Sequence, residues 1–166
     1  MTEVPPARCP DPLLDRRTLV SGGQTGADRA ALDWAIAHGV PHGGWCPRGR
    51  LAEDGVIPDR YRLRETPSAD YAQRTEWNIR DSDATLIVSI ASELTGGSRL
   101  TRAIAERLGK PCLHVARADV DMACVRDFLV RHRVRVLNVA GPRASKEADA
   151  HASTYAFLDA VFPAAT

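Results

Sequence analysis

Residues 21–29, SGGQTGADR, bring together what a loop needs in order to hold an anion. Gly22, Gly23 and Gly26 let the backbone turn tightly and approach a ligand closely, with Gln24 and Thr25 between them. A helix starting at Ala27 would aim its free N–H groups at the bound charge. The spacing fits neither GxGxxG nor GxxxxGK[ST], since no lysine follows Gly26, so a P-loop nucleoside triphosphatase is disfavoured. The alternative use of the same glycines is a short structural βα turn.

A second small-residue loop, Thr95, Gly96, Gly97 and Ser98, precedes another amphipathic stretch that carries Thr101. Two glycine loops that follow different strands of one parallel sheet can flank a single crevice where the strand order reverses. Ser98 has a second possible use as the N-cap of its helix. Between the two loops, residues 70–81 read as a helix rich in hydrogen-bonding groups. Its Arg74 offers a planar fork suited to phosphate, and Glu76 and Asn78 offer polar edges; a solvated face laced with salt bridges is the plainer reading. Near the C-terminus, Arg143 follows a Gly141-Pro142 turn and is either within reach of the crevice or an exposed arginine, while Ser145 suits an N-cap and Glu147 the positive helix end. Oxyanion binding is the chemistry these residues share.

The elements that must position them alternate between short apolar runs and longer amphipathic stretches, the signature of βα units around a parallel sheet. Strands are expected at residues 18–21, 42–46, 84–90, 112–116 and 134–139, and helices at 27–38, 69–81, 98–108, 120–131 and 146–161. The fold class is therefore α/β, a doubly wound parallel sheet flanked by helices. Residues 47–67 read as a long polar loop with one short extended piece near residues 61–63, and a loop of that length is usually functional or mobile. Trp34 and Trp77 are assigned to the core, whereas Trp45 stays open.

A chain of 166 residues with 44% hydrophobic content supports one core. The expected organisation is a flexible tail at 1–17 and one ligand-binding domain at 18–166. A net charge of +1 gives no global field for nucleic acid or an acidic membrane, and no stretch is long and apolar enough to span a bilayer. Cys9, Cys46, Cys112 and Cys124 lack the spacing of a zinc site or a disulfide framework, so reduced thiols and a cytoplasmic location are expected. His38, His42, His114, His132 and His151 are assigned to the surface or to packing, since none has a serine, cysteine and acid around it in sequence.

SGGQTGADRAALD, GGWCPRGR, AEDGVIP, YAQRTEWNIRDSDATLIV, TGGS and LNVAGPRAS together closely resemble the putative molybdenum carrier family, over nearly all of residues 18–161. That family is similar to the Rossmann-like nucleotide-binding superfamily that includes the cytokinin-activating phosphoribohydrolases. The resemblance implies a Rossmann-like single domain, a small-molecule ligand and assembly into a dimer or tetramer. It also implies carriage of molybdenum cofactor or molybdate, whose phosphate monoester and oxo groups are both oxyanion-like. The phosphoribohydrolases carry an arginine-lysine pair on the helix before a PGGxGTxxE loop. Arg74 matches that arginine, but Thr75 replaces the lysine, and the loop beginning at Gly96 has no glutamate at the required position, Glu106 lying further along. Binding without catalysis is the leading expectation. A nucleotide-processing hydrolase using Arg74 with Glu76 or Asp28 is the runner-up, and a nucleotide sensor is the third.

Overall fold

The computed structural model describes residues 17–117 and 120–163. The expected tail lies outside the described residues except for Arg17, as does Cys9. The chain runs β1 (Thr18–Val20), α1 (Ala27–Ala37), β2 (His42–Gly43), β3 (Trp45–Cys46), β4 (Leu51–Ala52), β5 (Gly55–Val56), β6 (Arg64–Glu65) and α2 (Tyr71–Arg80). It continues through β7 (Ala84–Ser89), α3 (Gly96–Arg107), β8 (Cys112–Ala116), α4 (Met122–Arg131), β9 (Val136–Ala140) and α5 (Ala150–Val161). No helix among the described residues is long and apolar enough to cross a membrane.

Five strands form one parallel sheet in the order β2-β1-β9-β7-β8. A parallel sheet is covered on both faces, which is why β7 reads as the unbroken run ATLIVS and is buried throughout. One core packs Leu86, Val88, Leu137 and Val139 with Trp34 of α1, Leu129 of α4 and Phe157 of α5. A second joins Ile79 of α2 to Ile104 and Ala105 of α3. Counted with β9 first, the strand order becomes 3-2-1-4-5, the arrangement of a dinucleotide-binding sheet. The ends of the domain also meet, with the Arg17 guanidinium carbon 5.7 Å from the centre of the Phe162 ring.

The expected strand at 42–46 is instead two, since β2 pairs with β1 while β3 pairs with β6 in a separate small ladder. Gly44 makes the break. Its φ of 126° is disfavoured for other residues, and a Cβ there would lie 2.9 Å from Asn78 Oδ1 and closer still to the Ser21 carbonyl. The long loop is ordered too: β4 and β5 form a hairpin, and Ile57 and Tyr61 bury against Leu32 and Cys46. Its organiser is Arg50, which donates to the carbonyls of Ile57, Pro58, Tyr61 and Leu63 at 2.9–3.3 Å. An arginine inside the segment expected to be a polar loop thus satisfies the backbone of a stretch that has little ladder of its own.

Helix starts also differ from expectation. α2 and α4 are capped by Asp70 and Asp121, which accept from Ala72 N and Ala123 N. Ser98 is not an N-cap, because α3 already begins at Gly96, after Thr95. Ser145 is not one either: α5 starts at Ala150, and the Ser145 hydroxyl is engaged by Glu53.

Candidate functional site

A cavity of about 430 Å³ opens at the C-terminal edge of the sheet. It lies where the chain turns away in opposite directions from β9 and β7, the place where doubly wound sheets hold ligands. Of the residues singled out from sequence, Gly22 and Gln24 line it from the β1–α1 loop and Arg74 from α2. Gly96, Gly97, Ser98 and Thr101 line it from the start of α3, and Arg143 from the loop after β9.

Gly23, Thr25 and Gly26 do not line the cavity. A Cβ on Gly23 would run into Leu63 and Ile57, and one on Gly26 would strike the backbone of residues 142–144. Thr25 donates to Glu53 and accepts from Ala144 N at 3.1 Å. These three residues dock the loop onto its neighbours instead of facing the cavity. Glu76 points away as well, pairing with Arg107 at 3.0 Å. Asn78 uses both ends of its amide on the Trp45 backbone, at 2.7 and 2.9 Å, so it clamps the chain where it leaves the sheet. Trp77 is only half-buried and meets Trp45 edge-on, with ring centres 4.8 Å apart.

Arg74 forms the floor. It is 7% exposed, donates from Nη1 to the Gly22 carbonyl at 2.8 Å and lies 3.6 Å from Asp28 Oδ2. Its Nε is buried with no hydrogen-bond partner among the described residues. Gly22 must be glycine for this approach, since a Cβ would stand 2.7 Å from the Arg74 guanidinium carbon. Burial pushes the Asp28 carboxyl above the usual aspartate range, against the opposing pull of Arg74 and of the N–H groups of Gln24 and Gly22. Tyr71, one turn before Arg74 on the same helix face, presents its ring to both Arg74 and Arg143, at 5.2 and 5.9 Å.

The rim opposite is the start of α3. Thr95 makes no side-chain cap, and a Cβ on Gly96 or Gly97 would meet nothing within 4 Å. The start of α3 thus borders the cavity without a side-chain cap, and it carries the positive end of the helix dipole. Thr101 spends its hydroxyl proton on the Gly97 carbonyl at 2.9 Å.

The loop after β9 closes the third side. Pro142 O accepts from Ala27 N at 3.2 Å, which ties this loop to the start of α1. Lys146 and Glu147 also line the cavity, and Glu147 accepts from Ile90 N and Ala91 N at 2.8 and 3.2 Å, fixing the exit of β7. His114, expected to be a surface or packing residue, reaches Ser89 Oγ at 2.6 Å across neighbouring strands. The Ser89 hydroxyl lies equally close to the Ala91 carbonyl, so it donates there and accepts from the ring. Sequence reasoning passed over Tyr71, although its spacing from Arg74 was a usable signal. Glu147, expected beside a helix start, lies before α5 and binds the backbone after β7 instead; that role and the Ser89–His114 contact had no such signal, because they depend on how the strands lie side by side.

Strand order, the contact of Arg17 with Phe162 and a crevice built from three βα loops define a Rossmann-like α/β domain whose first strand has been moved to the end of the chain. Residues 19–162 match the circularly permutated YpsA SLOG family, cpYpsA, and the chain belongs to it. Among solved structures, a putative molybdenum carrier protein from Syntrophus aciditrophicus SB is 49% identical, with a TM-score of 0.83 over 89% of this chain and 94% of that one. A second match, the E-1-hydroxy-2-methyl-but-2-enyl-4-diphosphate reductase of Plasmodium falciparum, is 12% identical over 87% of this chain and 53% of that one. Its TM-score is 0.36, too low to bear on fold or function. No curated protein matches the sequence.

Proposed function

We propose that the crevice binds a phosphorylated or oxyanionic small molecule, with molybdenum cofactor or molybdate as the leading ligands. The observation that carries this reading is the uncapped start of α3 opening onto the same cavity as Arg74 and Arg143. Helix N–H groups and guanidinium forks are complementary to tetrahedral oxyanions. The cavity, about 430 Å³, falls within the range of roughly 300–1,000 Å³ that organic ligands occupy. That size favours a phosphorylated organic body over a bare oxyanion. Molybdenum cofactor fits on these terms, its phosphate suited to the α3 rim and its ring system to Tyr71. No cluster of metal-ligating side chains exists among the described residues, so the protein would hold the cofactor by its phosphate and oxo groups. The molybdenum carrier name of the 49% identical relative points the same way.

Native mass spectrometry of the purified protein identifies the co-bound molecule, and calorimetry with orthophosphate and molybdate measures the anion site. Arg143→Ala is expected to weaken anion binding by about ten-fold or more, the effect of losing one charge-assisted hydrogen bond of about 1.5–3 kcal/mol. The melting temperature should hardly move, because a half-buried arginine at a loop contributes little to stability. Unchanged affinity removes Arg143 from the site, and absence of any anion binding by the wild type overturns the reading.

Asp28 gives the hydrolase alternative its one specific support, as a carboxylate that lines the cavity beside Arg74. The binding reading predicts no release of ribose 5-phosphate from nucleoside monophosphates. Turnover that disappears in Asp28→Asn, with the fold intact by circular dichroism, would favour the hydrolase.

A further inference from the structure

Glu53 sits at the tip of the β4–β5 hairpin, outside the cavity lining, yet its side chain touches two of the three loops that build the cavity. One oxygen, Oε1, accepts from the Thr25 hydroxyl and from Ser145 N at 3.1 Å, and the other, Oε2, accepts from the Ser145 hydroxyl at 2.6 Å. The hairpin is itself held in place. Glu53 N donates to Gln24 Oε1 at 2.9 Å, the same oxygen that accepts from Thr25 N, and Asp54 forms a two-pronged ion pair with Arg29. Thr25 completes the arrangement by accepting from Ala144 N.

The amides of Ala144 and Ser145 are thus anchored to Thr25 and Glu53 respectively, immediately after Arg143. The Cα of Arg143 is held between this anchor and Pro142, whose ring restricts the backbone and whose carbonyl is bonded to Ala27 N. We propose that Glu53 is a positioning residue for the anion site, clamping residues 144–145 so that Arg143 projects into the cavity. The inference rests on the oxyanion reading above.

Electrostatics alone predicts the opposite result from the clamp, and that makes the test decisive. Glu53 is a negative charge close enough to Arg143 to interact with it, so removing the charge should by itself tighten anion binding. The clamp predicts weaker binding for Glu53→Ala. Glu53→Gln should rescue, because its Oε1 still accepts from Thr25 and Ser145 N, while its amide nitrogen can donate to the Ser145 hydroxyl.

The experiment is calorimetry with orthophosphate on the wild type, Glu53→Ala, Glu53→Gln, Arg143→Ala and the Glu53→Ala/Arg143→Ala double variant, beside amide hydrogen exchange of the ligand-free proteins. Expected are a five- to ten-fold affinity loss for Glu53→Ala, wild-type or modestly tighter affinity for Glu53→Gln, and no further loss when Glu53→Ala is added to Arg143→Ala. Exchange at Ala144 and Ser145 should accelerate at least ten-fold in Glu53→Ala and not in Glu53→Gln. Equal or tighter binding by Glu53→Ala, additive losses in the double variant, or unchanged exchange at residues 144–145 would overturn the proposal. If the wild type binds no anion, the oxyanion reading fails by itself, and the exchange data still decide whether Glu53 holds the loop.

Discussion

Arg74→Ala is expected to lower the unfolding free energy by about 3 kcal/mol near neutral pH, because it strips the counter-charge from a buried carboxylate. Both partners are shielded, with side chains 9% and 10% exposed, so screening by solvent does not reduce the effect to that of a surface pair. For a chain of 166 residues this corresponds to a fall in melting temperature of about 6–12 °C. The double variant Asp28→Asn/Arg74→Met removes both charges and keeps most of the volume, so it should recover a large part of the loss. The pH dependence follows from the raised pKa of Asp28, whose ordinary value is 3.8. The folded state holds that proton more tightly than the unfolded chain does. This group's contribution is therefore fully present below about 3.8 and is lost as pH rises through the folded-state value. The deficit of Arg74→Ala should shrink as pH falls and Asp28 takes up its proton, because the neutral carboxyl no longer needs its partner. Urea titrations of the three proteins between pH 4 and 8 provide the measurement. A deficit constant across that range would mean that Arg74 acts through packing and its bond to Gly22 alone.

How much of this site was legible in the sequence depends on whether each feature is local. The loops around Gly22 and Gly97 showed themselves because glycines between an apolar run and an amphipathic run have few other uses, and both line the cavity. Arg74 was visible as a fork on a polar helix, but its pairing with Asp28 joins α2 to α1 and depends on the sheet order. Gly23, Thr25 and Gly26 were grouped with the ligand-facing residues, since a sequence shows that a loop is glycine-rich without showing which way each residue faces. The break at Gly44 was hidden for a similar reason: HGGWC has the apolar character of one strand, and only the approach to Ser21 and Asn78 reveals the departure. The parallel sheet was foreseeable from the alternation of elements. The place of β9 between β1 and β7 was not, because periodicity carries no information about strand order.

Gly141→Ala should be about as damaging as the loss of Arg74, and for a purely steric reason. A Cβ on Gly141 would stand 2.6 Å from the Ala27 Cβ and closer still to the Val88 carbonyl oxygen. One neighbour belongs to the first turn of α1 and the other to the backbone of β7, and neither can rotate away as a long side chain would. Overpacking of this kind costs about 1–3 kcal/mol, and two rigid neighbours place Gly141 at the upper end. Two other glycines separate this mechanism from conformational strain. Gly39 has a φ of 65°, and a Cβ there would meet nothing within 4 Å, so Gly39→Ala should cost only about 1–2 kcal/mol of backbone strain. Gly97 lies in α3 without a positive φ and with open space around it, so Gly97→Ala should be neutral or stabilising by up to about 1 kcal/mol. Function should separate Gly141 from Gly39 again. Relief of the Gly141 clash requires the loop to move outward, taking Arg143 with it, so orthophosphate affinity should fall at least as far as in Arg143→Ala. Gly39→Ala, remote from the cavity, should bind as the wild type does. Thermal melts and calorimetry on the three variants read both effects, and a Gly141→Ala protein with wild-type stability and affinity would show that this loop yields where the packing around Ala27 and Val88 says it cannot.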